Sequence, residues 1–185
     1  MIGLGIVVAA IVLVGAGMYN SLVAKKNQIR NIFGSVDALL KKRYNLIPNL
    51  VGSVQAYMKH ESEVLTEITR LRAKALSGDL SDDQKIDLDQ RISQAIKGIM
   101  VAVENYPGLR ANEGFMQLQM TLNEVEEQIS AARRAYNAAV TNYNNAVEMF
   151  PTNIMAQIMN YKPKRVFTIP SAERTNVDVH GLFQR

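Results

Sequence analysis

The sequence predicts an all-α fold: an N-terminal transmembrane helix followed by an antiparallel four-helix, up-and-down bundle with long helices. Three observations predict it. The first 23 residues carry no charged side chain. The remainder repeats apolar residues at helical and seven-residue spacing, and its few Pro and Gly stand between the periodic segments. The expected organisation is an anchor over 1–23, a helical bundle over 24–160 and a loosely ordered tail over 161–185.

An α-helix rises about 1.5 Å per residue, so roughly 20 apolar residues cross a hydrocarbon core of about 30 Å. The run from Met1 to Val23 is long enough, and Tyr19 stands near its end as an interfacial aromatic would. A secretory signal needs a basic segment ahead of its apolar core. No Lys or Arg precedes this run, so it is read as a retained anchor, although Ala16-Gly17-Met18 resembles a weak cleavage site. Lys25, Lys26 and Arg30 follow it, and the positive-inside rule then leans the bundle toward the cytoplasm. Gly3, Ala10, Gly17 and Ala24 recur at intervals of seven. Small residues on one stripe let helices approach closely in lipid, which predicts side-by-side anchors in a homo-oligomer. The ordinary abundance of Gly and Ala in such helices accounts for the spacing equally well.

Zero cysteines exclude disulfides, thiolate nucleophiles and Cys-ligated zinc. The net charge of +4 is spread with both signs interspersed, and no nucleic-acid module leaves its fingerprint.

The first bundle helix continues out of the membrane on Leu22, Ile29, Ile32, Phe33, Val36, Leu39 and Leu40. Its stripe is interrupted at Arg43-Tyr44-Asn45-Leu46-Ile47-Pro48. Proline is tolerated in a first helical turn, and Asn45 is a suitable N-cap, so a sharp junction or a strong kink is expected there. The second helix would bury Leu50, Val51, Val54, Met58, Val64, Leu65, Ile68 and Leu71, ending at Ser77-Gly78-Asp79. Ser81-Asp82-Asp83-Gln84 has capping-box spacing and opens the third, through Ile86, Ile92, Ile96, Ile99 and Val103. Asn105-Tyr106-Pro107-Gly108 makes the next turn. The fourth helix, Asn112 to Phe150, is about 58 Å long at the usual rise. Along it Phe115, Leu118, Leu122, Val125, Ile129, Ala132, Tyr136, Val140, Tyr143 and Val147 alternate steps of three and four. Pro151 stops it, and Ile154, Met155, Ile158 and Met159 suggest a short amphipathic turn or two.

Several constellations invite chemistry. His60-Glu61 opens like a zinc-protease motif, but position 64 is Val and the only other histidine is His180, so a histidine zinc site is not expected. A pairing of His60 and Glu61 with a basic group such as Arg43, or with a helix end, is the plainer expectation. Asp79, Asp82, Asp83, Asp87 and Asp89 crowd the third helix's start without a calcium loop's Gly or terminal Glu; helix-dipole complementation accounts for them. Tyr136-Asn137 and Tyr143-Asn144 repeat at seven residues. They read as core tyrosines with register-fixing asparagines, the sharper alternative being an inter-subunit seam. Neither a nucleophile elbow, a Walker loop nor a dinucleotide fingerprint occurs. No enzyme activity, cofactor, metal or small-molecule substrate is expected.

Particular stretches carry a resemblance. They are Tyr19-Asn20-Ser21-Leu22-Val23, Leu40-Lys41-Lys42-Arg43-Tyr44-Asn45-Leu46-Ile47-Pro48-Asn49-Leu50-Val51, His60-Glu61 and Asn105-Tyr106-Pro107. Phe115-Met116-Gln117-Leu118-Gln119, Arg133, Tyr136-Asn137, Tyr143-Asn144 and Phe150-Pro151 follow. In these the chain resembles the LemA family of bacterial membrane proteins, over roughly residues 1–160. Ile32-Phe33 stand where that family usually has Ala-Trp, and Asn45 where it usually has Asp. The resemblance implies a single-pass membrane helix ahead of a four-helix antiparallel bundle in the bacterial plasma (inner) membrane, without enzyme activity. A related branch is associated with magnetosome membranes, which implies a membrane-organising role. Two functions are therefore expected as alternatives. One is a self-associating scaffold whose partners are the lipid bilayer and copies of itself. The other is an adaptor that grips a membrane protein, such as a protease or sensor, through Arg43, Tyr44, Asn45, Pro48, Asn49, His60 and Glu61.

Overall fold

The first helix, α1, runs from Ile2 to Gln55 without interruption. At about 1.5 Å per residue its 54 residues extend roughly 80 Å. The structure, a computed structural model, describes residues 2–58, 62–78 and 80–168. After α1 come α2 (Ser62–Ala75), α3 (Asp82–Val103), α4 (Pro107–Arg110), α5 (Glu113–Glu148) and α6 (Thr152–Ile158). Among the described residues no strand occurs.

The two halves of α1 have opposite surroundings. Ahead of Leu22 the described side chains are exposed from Ile2 to Val14 and none is buried, and this half contains an 18-residue window with mean hydropathy 2.3. Length and composition suit that half to crossing a membrane. From Leu22 onward the helix buries Ile29, Phe33, Val36, Leu40, Ile47, Leu50 and Val54. Their spacing keeps one face turned inward over nine turns.

The expected break before Pro48 does not occur. Proline lacks the N–H that would bond the carbonyl four residues back, here that of Tyr44. Arg72 of α2 supplies the missing donor: its Nε donates to the Tyr44 carbonyl oxygen at 3.0 Å. Pro48 itself is exposed, where its ring meets solvent. Asn45 is consequently a helix-interior residue and not an N-cap. The chain turns later, at Ala56-Tyr57, where the amides of Tyr57 and Met58 both bond Val54's carbonyl.

The remaining boundaries follow local chemistry. Arg72 and Lys74 lie in the last turn of α2, favourable to its dipole. Gly78 then takes φ +84°, a conformation L side chains rarely adopt. The Ser81–Gln84 capping box forms in full: the Gln84 amide donates to Ser81 Oγ at 3.3 Å, and the Ser81 amide to Gln84 Oε1 at 2.9 Å. Asn112 caps α5 through Oδ1, which accepts from the Phe115 amide at 3.0 Å.

Helix α1 packs along α5, α2 packs against both α3 and α1, and α6 folds back on α5 and α1. Phe33 meets Tyr136 with ring centroids 5.5 Å apart, while Arg43 meets Glu126. Rising α1 numbers thus meet falling α5 numbers. Between α2 and α3, Arg91 pairs with Glu67 at 2.8 Å. A hydrogen bond from Arg70 is the main cause holding the Glu67 carboxyl below the usual range.

Residues 161–168 are not loose. They run extended beside α5, tied by two asparagine side chains seven residues apart. Asn137 donates to the Phe167 carbonyl and accepts from the Phe167 amide, both at 2.8 Å. Asn144 does the same with Lys164, at 2.9 and 2.8 Å. Seven helical residues rise about 10.5 Å and three extended ones about 10 Å, so the two periods coincide. On the other side Gln90 donates to Thr168 Oγ1 at 2.6 Å, and Arg165 pairs with Asp87 at 3.0 Å. The strap therefore spans from α5 to α3, and Phe167 is buried against Tyr136.

Candidate functional site

Where α1, α3 and α5 face one another, four charged side chains meet in place of apolar ones. Arg43 and Asp89 are the two buried charged residues among those described, at 1 % and 0 % exposure. Arg43 pairs through Nη2 with Asp89 Oδ1 and also reaches the Asp89 carbonyl oxygen at 3.3 Å. Its Nη1 donates to Glu126 Oε2 at 2.7 Å and to Ser93 Oγ at 2.8 Å. Arg133 closes the ring: Nη2 lies 2.5 Å from Asp89 Oδ2, and Nη1 3.2 Å from Glu126 Oε1. Two guanidiniums face two carboxylates.

Each position follows from helical register. Arg43 falls seven residues from Val36 and from Leu50, both fully buried. Arg133 and Glu126 lie on the line of Val140 and Val147, at the same seven-residue step. These charges occupy the seam, and the apolar stripe passes through them. Desolvating Arg43 and Asp89 costs several kcal/mol per ion, which only the mutual pairing and hydrogen bonding offset, whereas Glu126 is 42% exposed. Burial pushes the Asp89 carboxyl upward, while Arg43 and Arg133 pull it back. The adjacent Tyr44 phenol is driven well above its ordinary value, chiefly by burial, and that of Tyr136 to about 12. Both phenols are thus neutral near pH 7.

The pairing runs among the four side chains, while Arg43 Nε and Arg133 Nε are buried with no partner among the described residues. Both Asp89 oxygens are paired with guanidiniums of the cluster. Among the described residues no three His, Cys, Asp or Glu side chains gather as metal ligands would. What the cluster can do is fix three helices in one register.

The other sequence-predicted residues separate. Arg43 and Tyr44 are buried, so they are not surface contacts, whereas Asn45, Pro48 and Asn49 remain exposed on the far side of α1. His60, Glu61, Asp79 and His180 lie outside the described residues. Arg43 takes its partners from Asp89, Glu126 and Ser93. Helix-dipole complementation, expected for Asp89 along with the other four aspartates, does not account for it: Asp89 is buried well into α3 and paired with Arg43 and Arg133. Arg133, which is not among the apolar positions of α5, turns into the cluster. Tyr136 and Tyr143 are buried as core tyrosines, while Asn137 and Asn144 hold the chain's own strap. Gly3, Ala10, Gly17 and Ala24 are exposed, with nothing within 4 Å of a Cβ built on Gly3 or Gly17.

Among the described residues, an exposed apolar helix continuous with a helical body that holds an ionic cluster defines an all-helical protein with one candidate membrane anchor. The chain belongs to the LemA family, whose profile matches residues 32–180. Among its relatives is Protein LemA of Metamycoplasma hominis, 27% identical over 166 residues, covering 90% of this chain and 76% of that one. Magnetosome protein MamQ 2 of Paramagnetospirillum magneticum is 29% identical over 110 residues, which is 59% of this chain. Magnetosome protein MamQ of Magnetospirillum gryphiswaldense is 26% identical over 96 residues. These matches span 40% and 35% of the two magnetosome proteins' own lengths.

Proposed function

We propose that this protein is a non-enzymatic scaffold, anchored once in the bacterial plasma membrane, that self-associates there and organises the membrane around it. The observation that carries this reading is the continuity of α1. One 54-residue helix is exposed and apolar in its first part and locked into the helical body in its second. Movement or association of the anchor is therefore transmitted to the body without a hinge. The body is read as an up-and-down bundle of α1, α2, α3 and α5, supported by the Phe33–Tyr136, Arg43–Glu126 and Glu67–Arg91 pairs. Lys25, Lys26 and Arg30 just beyond the span favour a cytoplasmic body.

Self-association is supported by the open face of the span. Gly15 meets Met155, whereas Gly17, two residues on and about 200° around the helix, meets nothing. The stripe of Gly3, Ala10 and Gly17 is thus turned away from the chain's own α6 and toward lipid or a neighbour. Light scattering of the full chain in mild detergent tests the reading. A mass above that of one chain is expected, and a monomer at every concentration would sink it.

The adaptor alternative is favoured by one observation, the exposure of Asn45, Pro48 and Asn49 beside the Tyr44 carbonyl that Arg72 caps. A photo-crosslinker at Asn49 should then capture one membrane protein in stoichiometric yield; diffuse or absent cross-linking rejects it.

A further inference from the structure

We infer that the corner between α5 and α6 is a second membrane contact, immersed in the bilayer beside the span. The inference rests on the reading of the first part of α1 as an anchor. The stretch of α1 exposed on all sides is Ile2–Val14, 13 residues. At 1.5 Å per residue that fully open stretch is about 20 Å, so a hydrocarbon core of about 30 Å takes in the whole unburied half ahead of Leu22, including the level where one side of the helix is covered. Beyond it the protein begins to cover the helix: Met155 Cε lies 3.9 Å from a Cβ placed on Gly15, and Leu22 is fully buried. For α1 to cross, hydrocarbon has to reach past Gly15 toward Tyr19. At that level it meets α6, which packs against α1.

The surface found there suits lipid. Phe150 is 80% exposed, Ile158 75%, Met149 61% and Ile154 52%, all within ten residues of the corner. Four large apolar side chains so close together cost free energy in water, at about 25 cal/mol per Å² of apolar surface. The next level is polar in the manner of an interface. Lys26 Nζ sits 4.4 Å over the ring of Tyr161, and Lys162 beside it is exposed. An amphipathic aromatic with lysines reaching outward is the chemistry of the headgroup region. Local thinning of the bilayer to the fully open stretch would instead leave Phe150 and Ile158 in water.

The chain has no cysteine, so single-cysteine variants label one site each. Val8→Cys, Gln119→Cys, Phe150→Cys and Ile158→Cys, each carrying an environment-sensitive fluorophore, would be reconstituted as full chains in phosphatidylcholine–phosphatidylglycerol vesicles. Labels at 150 and 158 are expected to behave like the label at 8: quenched by nitroxide-bearing lipid, with a several-fold lower iodide quenching constant than at 119. If 150 and 158 are as open to iodide as 119 while 8 is lipid-quenched, the corner contact is wrong and the anchor stands. Shielding of 150 and 158 from both quenchers assigns the patch to a second copy and also overturns the inference. Iodide access at 8 removes the anchor reading itself.

Discussion

Arg43 stands at a seam position whose neighbours one heptad away are Val36 and Leu50, and its charge is answered from two other helices. Removing one partner of a buried pair strands the other, so Asp89→Ala should cost about 3–5 kcal/mol in chemical denaturation, and Arg43→Ala a similar amount. The double variant should cost clearly less than the sum, because the two groups share one interaction. The pH dependence has a definite sign. Burial raises the Asp89 pKa on folding, so the folded state holds this proton more tightly than the unfolded one. Asp89's contribution is therefore fully present below the ordinary aspartate pKa and is lost as pH rises through the raised folded value. Stability curves of wild type and Asp89→Asn should differ by a slope of that sign over that window; parallel curves would contradict it. This cluster was only half legible. Arg43 lay in a motif that drew attention, but a charge reads as the end of a stripe, and Asp89, Glu126 and Arg133 look like solvated faces until the register of three helices is known. The spacing of Arg133 from Val140 was the available signal.

At the scale of elements, the apolar periodicity located α3, α5 and the end of α2, and the capping box formed as its spacing required. The same periodicity opened the second helix near Asn45, whereas Leu50, Val51 and Val54 belong to α1 and α2 starts at Ser62. The junction at Pro48 was misplaced for a reason the local sequence does not contain. The proline's orphaned acceptor is satisfied by Arg72, 28 positions away in the chain. Arg72→Ala should therefore cost about 1–3 kcal/mol by uncapping a carbonyl. In a Pro48→Ala background, where residue 48 regains its N–H, the same substitution should cost much less. Equal costs in both backgrounds would reject the capping account. The strap was likewise illegible as such, because polar, Pro-containing sequence reads as loose chain. Its order comes from Asn137 and Asn144, whose seven-residue interval matches three extended residues. Asn144→Ala removes two hydrogen bonds, so the Lys164 amide should lose hydrogen-exchange protection while the α5 backbone keeps its own.

For the molecule as a whole, the long α1 makes the candidate anchor and the helical body one continuous unit, held by a charged cluster where α1, α3 and α5 meet and by a strap on its side. That construction suits a protein whose work is position and association, and the small-residue face of the span is where association is expected to occur. Disulfide cross-linking along the span in native membranes tests this most directly, since every bond must come from introduced cysteines. Cysteines at Ala10 and Gly17 should form dimers readily, while those at Val8 and Val12, on the opposite side of the helix, should not. Equal cross-linking at all four positions, or none at any, would contradict a scaffold assembled through its anchor.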